Sequence, residues 1–169
     1  MSKARSRAST SQPAAAAPDQ VRIRPLKRTD LDEIVRIHEL HTGACEPEYW
    51  EAVLRRVRRE GEAREVALAA ETADGLAAFL VGEVRAFEFG SDPCGWVFAV
   101  GVDPRFARGG TASRLLDEAC RCFRAMGVRR VRTMVRRNDV PLLAFFRSNG
   151  FAGGAFVQLE RELEEGGDT

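Results

Sequence analysis

The 169-residue sequence holds little that would anchor, cross-link or metallate it. No apolar run approaches the roughly 18 residues that a bilayer-spanning helix needs; the best, Leu76–Val81, is only strand-sized. The basic start (Lys3, Arg5, Arg7) leads into no apolar core, so no secretory signal is read and a cytoplasmic protein is expected. Four cysteines (Cys45, Cys94, Cys120, Cys122) make no C-x-x-C pair, and the only histidines are His38 and His41, which argues against a zinc site. Cys120 and Cys122 lie two apart on a predicted helix, point to different faces and cannot bridge. Reduced, partly buried thiols are expected, with a Cys45–His41 nucleophile pair as the alternative. Lysine is nearly missing, limited to Lys3 and Lys27, and there is one tyrosine, Tyr49. Net charge is +1, so no overall field calls for nucleic acid or membrane. One local cluster, Arg129, Arg130, Arg132, Arg136 and Arg137, reads either as a solvated strand end or as a contact for a phosphate-bearing ligand.

What is present is the composition of one globular domain, 44% hydrophobic and 30% charged. Residues 1–19 are Ser, Ala, Pro and basic residues without apolar periodicity, and are expected to be a disordered leader; 20–163 form the domain and 164–169 a flexible tail. Val21, Ile23 and Leu26 suggest a first strand. Thr29 with Asp32 reads as a helix N-cap before an apolar face of Leu31, Ile34, Val35 and Ile37, closed by Thr42-Gly43. Pro47 suits the first position of a second helix carrying Trp50, Val53 and Leu54. Val66–Ala70 and Leu76–Phe87 flank Asp74-Gly75, a hairpin signal. Trp96–Val102 is apolar throughout, so both faces of that strand are expected to be covered, and Asp103-Pro104 stops it. A long helix to Gly127, a strand Val128–Val135, a short helix Pro141–Ser148 and a last strand Phe151–Leu163 complete the order β-α-α-β-β-β-α-β-α-β. That order predicts an α/β (α+β) fold with helices packed on a mixed sheet.

The stretch that carries chemistry is residues 102–116, VDPRFARGGTASRLL. A buried strand ends at a proline, and a loop with Arg105, Arg108, Gly109 and Gly110 opens directly into an amphipathic helix. The first N–H groups of a helix lack intrahelical partners and carry partial positive charge. Glycines let an anion approach the backbone closely. The arrangement suits a diphosphate, although its spacing is neither G-x-G-x-x-G nor the Lys-containing phosphate loop.

These residues resemble the GNAT superfamily of N-acetyltransferases, which carries [Gln/Arg]-x-x-Gly-x-[Gly/Ala] at this strand-to-helix junction. Gly110 and Ala112 match; Ala107 stands where the family has Gln or Arg. Val100-Gly101-Val102-Asp103-Pro104, Leu115-Leu116, and the downstream Asn138, Phe146 and Gly150-Phe151 keep the family's register. The similarity covers about residues 20–163 and implies a single domain with a mixed, mostly antiparallel sheet of 6–7 strands and about four helices.

The resemblance implies acetyl-CoA as acyl donor. The edge Ala99, Val100 and Val102 would pair with the pantetheine arm, and the Val100 N–H would serve as oxyanion donor. Arg105, Arg108, Gly109, Gly110, Thr111, Ala112 and Ser113 map to the pyrophosphate contacts, and Asn138 to the arm. Asn138 also fits a helix N-cap. The family often uses a Glu on its central strands as general base; here the candidates are Glu83 and Glu88. The family's tyrosine, which protonates the leaving thiolate, is replaced by Phe146, leaving Tyr49 as a candidate donor beside its reading as helix packing. Glu46, Glu48 and Glu88 would favour a cationic amine, a protein lysine side chain or a small amine. The chain would act as a monomer or homodimer, without nucleic acid or membrane. A catalytically degenerate module that only binds acyl-CoA is the main alternative, followed by a nucleic-acid binder using the arginine cluster.

Overall fold

A computed structural model describes residues 21–57, 64–86, 90–107 and 109–163. They build β1 (Arg22–Pro25), α1 (Leu31–Thr42), α2 (Pro47–Val57), β2 (Glu65–Thr72), β3 (Gly75–Arg85), β4 (Cys94–Val102), α3 (Thr111–Ala125), β5 (Val131–Thr133) and α4 (Val140–Ser148). The five strands form one sheet in the order β1-β2-β3-β4-β5. The first three pairings are antiparallel, and β4 with β5 is parallel. Two compact units divide the chain, the first ending at Met134 and the second beginning at Val135. The expected leader and tail lie outside the described residues.

Local chemistry sets most boundaries. Pro47 opens α2, where its missing N–H costs nothing. Gly43, at φ 73°, closes α1 by donating its N–H to the Glu39 carbonyl. The start of α1 corrects the sequence reading. A 3-10 turn, Arg28–Asp30, leads in, and Asp30 rather than Thr29 precedes the helix. The Asp30 carboxylate accepts from the Lys27 N–H and from Arg24, which also bonds Glu71. The helix start is thus fixed by bonds to the preceding turn and to Arg24 of β1, six residues back.

Both faces of the sheet are covered. Ile34 and Ile37 of α1 and Trp50, Val53 and Leu54 of α2 pack on Phe79 and Val81. Trp50 meets Phe79 edge-on with centroids 5.0 Å apart. On the other face, α3 buries Leu115, Leu116, Ala119 and Phe123. Gly95 makes room for this helix, because a Cβ there would lie 2.7 Å from Cγ of the Phe123 ring. A Gly95→Ala chain is expected to melt roughly 3–10 °C lower, since overpacking a filled core costs about 1–3 kcal/mol; a calorimetric scan against the parent checks it.

Two sequence expectations are corrected. The sheet has five strands among the described residues, not 6–7, and Phe151–Leu163 carries no strand. The segment has apolar residues, but Phe156, Val157, Leu159 and Leu163 are exposed. A strand exists only with a partner edge, which apolar content alone does not supply. For the same reason β5 is confined to the three residues that face β4.

Candidate functional site

The site begins with a bulge. In the β3–β4 register, Val81 faces Ala99 while Gly82 faces Val97, so Phe98 is the extra residue. A bulge bends its strand and increases the local twist. It also flips the alternation of the backbone. Before it, the Gly95 N–H donates to the Arg130 carbonyl and the Val97 carbonyl accepts from Thr133 Oγ1, so both residues face β5. After it, the Asp103 N–H donates to the Ala77 carbonyl, which places residue 103 towards β3. Counting back by twos, Ala99 and Gly101 also turn to β3, while Val100 and Val102 turn to the outer edge. Pairing with β5 covers only Gly95–Val97. Beyond Val97, no strand among the described residues covers that edge.

Asp103 fixes where the edge ends. Its carboxylate, 1% exposed, accepts from the Arg105 N–H and guanidinium and from Arg36 of α1 at 2.6 Å. Burial alone would raise this carboxyl, but the hydrogen bonds from Arg105 and Arg36 outweigh it and hold it well below the usual carboxylate range. A depressed folded-state value means that the contribution is present above the unfolded value, about 3.9, and is lost as pH falls below it. Asp103→Asn is expected to lose about 1–3 kcal/mol at neutral pH, the low end being favoured because both arginines reach water. Its urea midpoint should then fall less than the parent's between pH 7 and 3.

The loop then turns through a 3-10 segment, Pro104–Phe106, with Phe106 buried. Gly110, at φ 71°, precedes α3 and carries no side-chain cap. A Cβ there would meet nothing within 4 Å. The first helical bond runs from the Arg114 N–H to the Gly110 carbonyl at 3.0 Å, so the N–H groups of Thr111, Ala112 and Ser113 precede it. This is an open anion cradle at the N-terminus of a 15-residue helix.

The other candidates are placed as follows. Arg105 is engaged with Asp103 and lies over the Phe106 ring. Arg108 and Glu88 fall outside the described residues, and Gly109 is half-buried in the turn. Glu83 pairs with Arg85 at 2.8 Å and Arg56 at 3.5 Å. Tyr49 is exposed and edge-on to Trp50. In the second unit, Asn138 is exposed in a turn, and the N-cap of α4 is Asp139, which accepts from the Leu142 N–H. Phe146 is buried, its ring 5.0 Å from those of Phe145 and Phe151. Burial pushes the Cys120 and Cys122 thiols up, so neither is an activated nucleophile.

Two further residues belong to this region: Arg36, to which sequence reasoning gave no role, and His41, which it named only as the partner of Cys45. Arg36 reaches Asp103 across 67 residues, with no signal to announce it. His41 places Nε2 2.7 Å from the Val102 carbonyl oxygen. Its signal was present: Ile34, Ile37 and His41 continue one helical stripe at i, i+3 and i+7.

A free strand edge that leads into an uncapped helix N-terminus is the architecture of an acyl-CoA-dependent transferase. The Val100 backbone groups and the Val102 N–H on that edge suit the amides of a pantetheine arm, and the bare turn at Gly110 leaves room for its diphosphate. The chain matches the model of the acetyltransferase (GNAT) family over residues 31–151 and belongs to that family. It is an acetyl-CoA-dependent N-acetyltransferase. Its fold is similar to aminoglycoside N-acetyltransferase AAC(6')-Iy in complex with CoA, with TM-score 0.72, 16% identity and coverage of 84% of this chain and 94% of that one. It is also similar to the aminoglycoside 6'-N-acetyltransferase AAC(6')-Ih from Acinetobacter baumannii (TM-score 0.70, 17% identity, 85% and 99% covered). A transcriptional regulator from Bacillus halodurans is a third such neighbour (TM-score 0.71, 14% identity, 85% and 99% covered). At these identities the likeness is one of fold. No curated protein matches the chain. No helix among the described residues is long and apolar enough to cross a membrane.

Proposed function

We propose that this acetyltransferase moves the acetyl group of acetyl-CoA onto a primary amine by direct attack in a ternary complex, with a protein lysine side chain as the acceptor. The observation that carries direct transfer is the Phe98 bulge, which turns the Val100 N–H to the outer edge two residues from the Val102 anchor. There it can hydrogen-bond the oxygen on which charge develops during attack. The acetyl-CoA supplies the activated thioester. The chain aligns it along β4, holds its phosphates over Gly110–Ser113 and polarises its carbonyl. No nucleophilic side chain is needed, in keeping with the half-buried, unactivated thiols of Cys120 and Cys122.

The cationic acceptor rests on charge at the α1–α2 connection. Glu46 and Glu48 are exposed there, and Glu46 Oε2 lies 3.1 Å from His38 Nε2. Carboxylates at a rim select a positively charged partner and speed its approach. The test is thiol release from acetyl-CoA with lysine peptides and, in parallel, with small polyamines and aminoglycosides, the products being identified by mass. Acetylated lysine peptides support the reading. Turnover confined to the small amines would replace the protein acceptor with a small-molecule one.

A further inference from the structure

We propose that His41 is the general base of the acetyl transfer, an inference that rests on the reading above. The imidazole stands exposed at the end of α1, with Nε2 2.7 Å from the Val102 carbonyl oxygen. A carbonyl oxygen only accepts, so Nε2 carries the proton; in the neutral ring Nδ1 then holds the lone pair. One contact thus fixes both the place of the ring and the nitrogen that can take a proton. Val102 and Val100 turn to the same outer edge, and two residues of strand put them about 7 Å apart. An amine attacking a carbonyl held by the Val100 N–H therefore lies within one bridging water of the ring.

Two competing bases are engaged elsewhere, and Glu88 lies outside the described residues. Glu83 is held by Arg85 and Arg56. His38 is bonded to Glu46 and packs edge-on to Trp50. The side chain that bonds the Val102 carbonyl on the outer edge of β4 is that of His41. The charged and titratable groups around it are Asp103 with Arg36 and Arg105 beside Val102, then His38 and Glu39 on α1. Next in sequence come Cys45, Glu46 with its bond to His38, and Glu48 and Tyr49 in the first turn of α2.

The step balances without a further reactant. The acceptor ammonium first loses one proton to bulk water; the neutral amine nitrogen then bonds to the acetyl carbonyl carbon, and the carbonyl electron pair moves to the oxygen at the Val100 N–H. One amine proton passes through water to Nδ1. The pair on oxygen then restores the carbonyl, the C–S bond breaks, and its electrons leave on sulfur. The imidazolium returns the proton to that sulfur. The products are an amide, the free thiol and neutral His41. One ring thereby serves both proton transfers.

The test compares His41→Ala and His41→Gln with the parent, following thiol release with the best amine from pH 5 to 9 and acetyl-CoA binding by calorimetry. Both variants are expected to lose about 100-fold or more in kcat. Any acidic limb that His41 contributes to the parent's pH profile should vanish from theirs. Glutamine can still donate to Val102, so His41→Gln should bind acetyl-CoA like the parent, and free imidazole should restore part of the His41→Ala rate. A His41→Gln chain that keeps the parental rate, or the same acidic limb, overturns the assignment. A parent that binds acetyl-CoA yet releases no thiol with any amine overturns the transfer reading itself and His41 with it; that failure is distinguishable because it shows in the parent.

Discussion

A Val100→Pro chain is expected to transfer acetyl groups about 10²–10³-fold more slowly than the parent, the usual cost of one lost oxyanion donor. Proline is chosen because it removes a backbone N–H, which no other substitution does. In most central strands it would also break the ladder. Here the bulge at Phe98 turns the Val100 N–H away from β3, so the bonds between β3 and β4 do not use it. The preceding Ala99 is already extended, the conformation a following proline requires. The half-buried Val100 side chain gives up little packing in the exchange. The loss should therefore appear in kcat, while calorimetric binding of acetyl-CoA persists through Val102 and the helix N-terminus. Full parental turnover in a folded Val100→Pro chain would show that charge on the oxygen is stabilised by some other donor. The same variant separates the two roles of the edge: a drop in affinity without a drop in kcat would make Val100 an anchor for the arm and not an oxyanion donor.

The sequence reveals those parts of this site whose signals are local. The apolar run 96–102, the stop at Asp103-Pro104 and the glycines before an amphipathic helix place β4, the turn and α3 to within about two residues. Pro47 and Gly43 do the same for the first two helices. Each of these is a backbone preference acting over a few positions. The bulge is not local. Phe98 becomes the extra residue only because Val81 and Gly82 sit opposite, and nothing in Trp96–Val102 marks it. The ion pair of Arg36 with Asp103 and the bond from His41 to Val102 likewise join residues 67 and 61 apart. The same distinction explains the strand read over Phe151–Leu163, where the hydrophobic pattern is local but the required partner edge is not. Thus the glycine turn before α3 is legible because it is local, whereas the strand edge beside it is only half legible because it is made by register.

That cradle should respond to charge in a way that separates binding from folding. Gly110→Asp is expected to weaken coenzyme A binding by about 100-fold or more, whereas Gly110→Asn should cost no more than about tenfold; two unit charges some 4 Å apart interact by about 4 kcal/mol near a protein surface. Both substitutions place a side chain of nearly one size at φ 71°, a region asparagine and aspartate tolerate better than other residues. Both meet open space, since a Cβ at this position contacts nothing within 4 Å. They therefore share their strain and bulk and differ in one negative charge. For the free protein that charge is favourable, because an anion at a helix N-terminus interacts well with the uncapped N–H groups of Thr111, Ala112 and Ser113. The aspartate variant should accordingly melt at or above the asparagine variant while binding coenzyme A far more weakly. Raising ionic strength should narrow the gap in affinity, as screening weakens repulsion between exposed charges. Equal affinities of the two variants at low salt would mean that the diphosphate does not sit over this turn, and the loop would then be only a connection between β4 and α3.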